Sequence, residues 1–490
     1  TADPRLVSKA KKLDIVSYDE MLEMASLGAK VLQIRCVEFA HKFQMPLVVK
    51  SSYIEEGKGT LICEEDSKME QPVVSGIMYD KNQAKITLKE VPDQPGIAAN
   101  IFEPLSKNQI NVDMVIQNIS SDQKITDITF TIKSDDLSKT LKRISKFGID
   151  GFYKGITSKM IISEMAKGNG LISKNDLANY SPVYREPVIG TFKDIEVISM
   201  GPPSSGGLLL IHMLNALENF QLDTLGWNST DYIHLLTEVA KRAYADRAQH
   251  LGDPDFWKNP RNLFLSKSYA ASRVDDISMK THTPSKEVHP GNYEDTESNE
   301  TTHYSVVDSE GNAVAVTTTL NQNFGNKHVV SGAGFFLNNE MDDFSIKPGT
   351  PNFWGLVGSE ANAIEPNKRP LSSMTPTILI YDGYPIMTIG SPGGSKIITT
   401  VLQCILNVLV HDMNIKEAVC APRIHHQWLP ENTVFIEPNG VSVDIIEALK
   451  LRGHIVKAYG YMGVANGIII KDDGLYGGGD CRDETAAVGY

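Results

Sequence analysis

Glu300-Thr301-Thr302-His303-Tyr304-Ser305-Val306-Val307-Asp308 is the stretch on which the reading of this chain turns. Residues 280–300 ahead of it are polar and nearly devoid of core-forming side chains, the composition expected of an exposed, mobile loop. Residues 302–307 then alternate as a strand, 308–312 read as a turn, and Ala313-Val314-Ala315-Val316 returns as the partner strand. Thr301 therefore stands where a loose loop meets a rigid hairpin. A threonine hydroxyl is a poor nucleophile until a base takes its proton. Cleavage between Glu300 and Thr301 would supply that base as the freed α-amine, whose ordinary pKa of about 7.7–8.0 suits a proton acceptor near neutrality. By spacing alone the competing reading is a Thr-Thr pair that merely opens a strand, because threonine favours strands.

Working outward, Thr317-Thr318-Thr319-Leu320-Asn321-Gln322 follows the hairpin, and Asn338-Asn339-Glu340-Met341-Asp342-Asp343 brings carboxylates that can accept from a substrate ammonium or simply solvate a surface turn. Arg369-Pro370-Leu371-Ser372-Ser373-Met374 offers neutral hydroxyl donors, or a plain serine turn before the strand at 375–381. Gly390-Ser391-Pro392-Gly393-Gly394-Ser395 joins an apolar strand to a helix beginning near Ser395, a geometry that aims backbone N–H groups at one spot. It lacks the GxxxxGK[ST] spacing of a nucleotide loop, which favours an oxyanion over a phosphate.

Over residues 150–490 these motifs, in this order, resemble γ-glutamyltranspeptidase, an N-terminal-nucleophile hydrolase. The resemblance implies self-cleavage between Glu300 and Thr301 and Thr301 as nucleophile. It also implies that Thr319 steadies the nucleophile, Asn321 contacts the glutamyl group, Glu340 and Asp343 clamp the α-ammonium, Ser372 and Ser373 bind the α-carboxylate, and Gly393 and Gly394 form the oxyanion hole. Residues 348–359, with Trp354, resemble the lid over the pocket. Phe152-Tyr153-Lys154-Gly155, Pro202-Pro203-Ser204-Ser205-Gly206-Gly207 and Tyr244-Ala245-Asp246-Arg247 read as large-subunit scaffold. The family's large subunit is longer than residues 150–300, and no position here matches its arginine for the α-carboxylate. Loss of such a charge-assisted pair costs on the order of 1.5–3 kcal/mol.

Residues 84–147 have a different grammar: strand, Pro92-Asp93-Gln94-Pro95-Gly96 turn, helix, strand at 111–118, strand at 125–132, helix at 135–147. This β-α-β-β-α order is a ferredoxin-like module one strand short. Residues 1–147 resemble the end of an aspartate kinase domain plus its first ACT regulatory domain. That implies an effector such as lysine or threonine held by Asp93, Gly96, Ala98, Asn111, Asp113 and Gln117, and a nucleotide-binding remnant at Thr1, Asp3, Arg5 and Lys30. Taken alone, Pro95-Gly96 is an ordinary helix start.

The expected architecture is α+β: an N-terminal-nucleophile hydrolase αββα sandwich with a truncated large subunit, preceded by the incomplete ACT module. The boundaries are 1–68 (kinase remnant), 69–148 (ACT-like), 149–300 (partial large subunit) and 301–490 (small, catalytic subunit), the last two pairing after self-cleavage. At 490 residues more than one core is expected. The net charge of −13 disfavours nucleic acid as a partner, and residues 397–410 are too short and too interrupted to span a bilayer. The five cysteines are odd in number and scattered, which argues against a disulfide framework or a zinc site, and His425-His426 lacks ligand-spaced companions, so no metal is expected. The implied chemistry needs no cofactor. The implied partners are glutathione or another γ-glutamyl compound with an amino acid, dipeptide or water as acceptor. The rival readings are an amino-acid-binding ACT fragment and an inactive, artificially joined chain, since Gly148-Ile149-Asp150-Gly151 has no linker composition. The start at Thr1 carries no signal peptide; the transferase resemblance points to a periplasmic or extracellular location, the kinase resemblance to the cytoplasm.

Overall fold

The computed structural model describes residues 12–26, 32–50, 59–64, 83–92, 112–119, 125–133, 135–290, 302–322, 324–350, 357, 360–483 and 485–489. They fall into two compact units, Thr1–Ala178 with Val330–Phe335, and Asn179–Val329 with Phe336–Tyr490.

In the first unit, strands β1 (Ile15–Ser17), β2 (Leu47–Val49) and β3 (Thr60–Cys63) form a small sheet with β3 central, parallel to β1 and antiparallel to β2. Helices α1 (Tyr18–Ser26) and α2 (Ile34–Lys42) close its core of Val16, Tyr18, Met21, Val37, Ala40 and Ile62. A second antiparallel sheet has the order β4-β6-β5, from β4 (Gln83–Pro92), β5 (Val112–Ile119) and β6 (Ile125–Lys133). That order, with the third strand between the first two, is the one a split β-α-β unit produces. Helix α3 (Asp135–Phe147), expected as the closing helix of that module, is held to the segment Val330–Phe335: Thr140 Oγ1 donates to Ala333 O at 2.9 Å. Helix α4 (Gly155–Gly168) holds the same segment, Ser331 N donating to Glu164 Oε2 at 3.3 Å.

The second unit is built on a six-stranded antiparallel sheet ordered β17-β16-β12-β11-β8-β7. Its members are β7 (Val188–Phe192), β8 (Ile195–Ser199), β11 (Thr377–Tyr381), β12 (Tyr384–Gly390), β16 (Asn466–Lys471) and β17 (Gly474–Gly479). Side chains alternate across a strand, and β12 shows the consequence. Met387 and Ile389 enter the apolar cluster formed with helices α5 (Gly206–Leu217), α6 (Thr230–His250) and α7 (Lys396–Leu409), whereas Thr388 and Gly390 face the hairpin of β9 (Thr302–Val307) and β10 (Ala313–Thr318). Helices, sheet and a second β layer are therefore stacked, with the hairpin anchored by Thr388 Oγ1 to Ser305 Oγ at 3.3 Å and Asn466 Nδ2 to His303 O at 3.4 Å. Helix α6 starts on a cap, Ser229 Oγ accepting from Tyr232 N at 3.1 Å. Among the described residues no helix is long and apolar enough to cross a membrane.

The cysteines depart from expectation. Cys420, at the end of helix α8 (Ile415–Cys420), is bonded to Cys481 with their Cα atoms 5.2 Å apart, so two thiols 61 residues apart form a staple that sequence spacing does not reveal. Beside it, Arg423 pairs with Asp480 at 2.6 Å, and Arg482 with Asp480 at 2.7 Å and Glu437 at 2.5 Å, all buried or nearly so. Cys36, Cys63 and Cys404 are free.

Candidate active site

The hairpin register pairs Thr302 with Thr318, leaving Thr319 as the first residue beyond the last pair. Thr319 Oγ1 accepts from Asn321 N at 2.8 Å, and Asn321 takes φ +67°, a left-handed conformation that asparagine tolerates. The turn is laced to the acidic segment: Asn321 Nδ2 donates to Asn339 O at 3.0 Å, and Gln322 N to Asn339 Oδ1 at 2.9 Å. This lacing brings Glu340 against the same turn. Burial pushes the Glu340 carboxyl up to about 7, although the Thr319 hydroxyl and the Asn321 backbone amide both bond to it and favour its charged form.

Asp343 ends the 3-10 turn Glu340–Asp343 and is buried. Asn362 ties it to the serine segment, Nδ2 donating to Asp343 O at 2.7 Å while Oδ1 accepts from Leu371 N at 2.9 Å. Ser372 and Ser373 are both buried. The segment is clamped further: Arg369 N donates to Asp253 Oδ2 at 2.7 Å, and Ser372 exchanges backbone bonds with the 203–205 loop, Ser372 N to Pro203 O at 2.7 Å and Ser205 N to Ser372 O at 2.8 Å. Ser204 Oγ reaches Met374 O at 2.7 Å, and Ser205 Oγ reaches Ser372 O at 2.9 Å.

The glycine loop turns sharply after β12. Gly393 has φ +135°, a backbone state that only glycine enters without strain, and Gly394 has φ +61°, in the left-handed region that favours glycine. A Cβ on Gly393 would stand 2.9 Å from Gly463 Cα, so a second loop packs backbone to backbone behind it. The carbonyls of both glycines accept from the first turn of α7, through Lys396 N at 3.1 Å and Ile397 N at 3.0 Å. The loop thus feeds straight into the positive end of a 14-residue helix.

His303 is buried beneath the hairpin, its Nδ1 2.8 Å from Thr317 Oγ1 and its Nε2 3.0 Å from Ser305 Oγ. Burial lowers its pKa to about 4, so the ring is neutral at physiological pH. His425 and His426 are likewise buried and bonded within the protein, His425 Nδ1 to Thr399 Oγ1 and His426 Nδ1 to Thr433 O, each at 2.7 Å. Among the described residues, Glu238, His282 and His454 bring possible metal-ligand atoms within 4.8 Å of one another. That carboxylate already meets Lys241 Nζ at 2.5 Å and Arg242 Nη1 at 2.7 Å, which neutralise it without an ion.

The structure thus brings Thr319, Asn321 and Glu340 together, and links Asp343 to Ser372 and Ser373 through Asn362. Glu300, Thr301 and Trp354 lie outside the described residues, as do Asp93, Gly96, Ala98, Asn111, Thr1, Asp3, Arg5 and Lys30. Asp113 and Gln117 lie in β5, Gln117 paired with Ile128 of β6. Sequence reasoning missed Asn362, and it read Ser204, Ser205, Tyr244 and Arg247 as scaffold. Tyr244 OH donates to Ser395 O, and Arg247 donates to both Ser205 Oγ and Ser373 Oγ. The available signal was an arginine three residues after a tyrosine within one helix, a spacing that puts both on one side.

The Gamma-glutamyltranspeptidase family profile matches residues 103–490, starting ahead of the position near 150 expected from the motifs. The Amino acid kinase family profile matches residues 1–51. The chain is 48% identical over 362 residues to the glutathione hydrolase proenzyme of Escherichia coli (strain K12), covering 74% of this chain and 62% of that protein. It is 37% identical over 338 residues to the glutathione hydrolase proenzyme of Bacillus subtilis (strain 168), covering 66% of this chain and 55% of the relative. It therefore spans only about three-fifths of the length of these relatives. In fold it is similar to cephalosporin acylase from Bacillus halodurans, with a TM-score of 0.64 at 24% identity over 82% of this chain and 72% of that one. With the matched profile covering well over half its residues, this chain belongs to the γ-glutamyltranspeptidase family.

Proposed function

We propose that the chain cleaves itself before Thr301 and then transfers or hydrolyses γ-glutamyl groups, with glutathione or a related γ-glutamyl compound as donor and an amino acid, a dipeptide or water as acceptor. The observation that carries this reading is the hydrogen-bonded cluster of Thr319, Asn321 and Glu340. It stands one residue beyond the strand pair Thr302–Thr318, and Thr301 is one peptide bond before that pair. In this reading the strand pair carries the nucleophile on one side and leads to an ammonium-binding carboxylate on the other.

In this scheme the Thr301 hydroxyl oxygen attacks the γ-carbonyl carbon while its proton passes to the freed α-amine. The oxyanion is met by backbone N–H groups of Gly393 and Gly394. Its collapse breaks the C–N bond and the leaving amine takes the proton; water or an acceptor amine then attacks the resulting ester, the bond to the Thr301 oxygen breaks, and that oxygen regains a proton as the γ-glutamyl group departs. Glu340 and Asp343 hold the α-ammonium, and Ser372 and Ser373 the α-carboxylate. The names of the relatives, glutathione hydrolase proenzymes, support both the substrate class and the self-processing. The division at 300/301 into large and small subunits, with the kinase- and ACT-like segments before residue 149, belongs to the same reading. So does an oxidising location outside the cytoplasm, supported by the Cys420–Cys481 bridge. For the ACT-like module, whose β4-β6-β5 strand order fits a split β-α-β unit, the proposed effector is lysine or threonine, tested by calorimetric titration at millimolar ligand.

The decisive test is a denaturing gel of the purified chain with and without Thr301→Ala. The expected light product has 190 residues (490 minus 300) and begins at Thr301. An uncut chain after prolonged incubation removes the nucleophile and with it this function.

A further inference from the structure

Helix α6 carries His234 and Glu238 four residues apart, and so on one face. His454 reaches that face from just ahead of the strand Ile455–Ala458, and His282 from the coil before the 3-10 turn Ser285–Glu287. One ligand atom from each of Glu238, His282 and His454 lies within 4.8 Å of the other two. None of these residues belongs to the cluster of Thr319, Asn321 and Glu340. The coil bearing His282 is fixed in place: His282 N donates to Arg452 O at 2.8 Å, and Lys241 Nζ to Thr283 O at 2.5 Å. Gly453 makes room for the imidazole, since a Cβ there would stand 2.3 Å from His282 Cδ2.

The hydrogen bonds place the protons of this cluster. His234 Nε2 is 2.8 Å from the carbonyl oxygen of Ser278, which can only accept, so Nε2 carries the proton and Nδ1 of the neutral ring is an acceptor. His454 Nε2, 2.7 Å from that Nδ1, is therefore the donor. His454 is 3% exposed and burial lowers its ring to about 2, so it is neutral, and the atom it can still offer is the lone pair of Nδ1. That nitrogen has no hydrogen-bond partner among the described residues, and neither has Nδ1 of His282. An imidazole whose far nitrogen donates to a fixed acceptor while its near one offers a lone pair is set up as a metal-binding histidine is. Lys241 and Arg242 are balanced by Glu238 and Asp276, so the carboxylate needs no ion, whereas the imidazole lone pairs still face the cluster without a donor. Glu238 Oε1 accepts from Lys241 Nζ, and a carboxylate oxygen has a second lone pair to give.

We propose that His282, His454 and Glu238 form a site for a zinc-class divalent ion, with water as the fourth ligand and His234 as the positioning residue that fixes the His454 tautomer. Two imidazoles and a carboxylate suit zinc, and nitrogen ligands disfavour calcium and magnesium. The ion joins helix α6 to the coil ahead of Ser285 and to the strand after His454, and it competes with the Lys241 ammonium for Glu238.

The test is metal binding by the full chain after dialysis against a chelator, read by calorimetry with Zn²⁺, absorption spectra with Co²⁺, and melting curves with and without each ion. The unsubstituted chain should bind about one ion, show the visible bands of four-coordinate Co²⁺, and melt at a higher temperature with Zn²⁺, as a ligand of the folded state requires. His282→Ala and His454→Gln should each abolish these signals. His234→Gln should weaken binding about 10–100-fold, the loss expected when the outer partner of a ligand is removed. Lys241→Met, which removes the competing cation, should tighten it, and unchanged or weaker binding there overturns Glu238 as a ligand. A purely structural cluster gives no Co²⁺ bands and no melting shift, and that result overturns the proposal. Binding that survives both His282→Ala and His454→Gln belongs to other histidines and overturns it equally. Should His454→Gln not fold, His282→Ala decides, because that ring is only half-buried.

Discussion

The imidazole of His303 lies directly on Gly390, the last residue of β12: a Cβ on that glycine would stand 2.3 Å from both Cε1 and Nδ1 of the ring. The hairpin that carries Thr302 and the sheet that leads into the glycine loop are therefore in contact at one point where no side chain fits. Gly390→Ala must push His303 off Thr317 and Ser305 or separate the two layers. Overpacking of this kind costs about 1–3 kcal/mol, and a urea titration should find the variant less stable by that amount. An unchanged midpoint would mean that the layers are looser than the contact implies.

Acid should unfold the second unit through histidines that it buries neutral. Burial lowers His212, His303 and His426 to about 4, while in the unfolded chain a histidine titrates near 6.5. The folded values lie below the unfolded ones, so the unfolded state takes up protons first. The stability these residues contribute is present above pH 6.5 and lost as the pH falls from about 6.5 to about 4, by up to about 3 kcal/mol each. Denaturant midpoints at pH 7 and pH 5 measure the loss, and His303→Gln should flatten the dependence. A midpoint that holds steady down to pH 4 would contradict it.

Glu340 titrates in the opposite sense. Its folded value of about 7 lies above the usual carboxylate range because of burial, so its contribution to stability is present below about pH 4.5 and lost as the pH rises to about 7. Binding runs the other way, since only the ionised carboxylate attracts an ammonium. KM for a γ-glutamyl donor should therefore fall as the pH rises from 6 to 8, and Glu340→Gln should raise KM at least about tenfold and remove that slope. A slope that survives the substitution assigns the titration to another group.

The Cys420–Cys481 bridge closes a loop of 61 residues that contains the buried pair of Arg423 with Asp480. Loop-closure entropy for that length stabilises by about 4 kcal/mol. Cys481→Ser, or reduction of the purified protein, should lower the melting temperature by several degrees, read by differential scanning fluorimetry with and without reductant. Equal melting curves would show that the buried ion pairs alone hold the C-terminal segment.

Much of this arrangement is local and so can be read along the chain. The strand periods at 302–307, 125–132 and 377–381, the glycine loop entering a helix, and the succession of acidic, serine and glycine motifs each depend on neighbours within about ten residues, where propensity and periodicity act. What the chain does not spell out is which distant segments meet. Asn362 joining Asp343 to Leu371, Arg247 reaching Ser373 across 126 residues, and Cys420 finding Cys481 are products of packing. So is the attachment of α3 to Val330–Phe335, which gives a helix with the sequence signature of one module a partner far along the chain. The same holds for protonation: whether a glutamate sits near 4.5 or near 7 depends on the water its neighbours exclude, a property of the folded surroundings rather than of the residue. Sequence set the chemical groups and their local elements, and tertiary burial decided which of them touch and in what charge state.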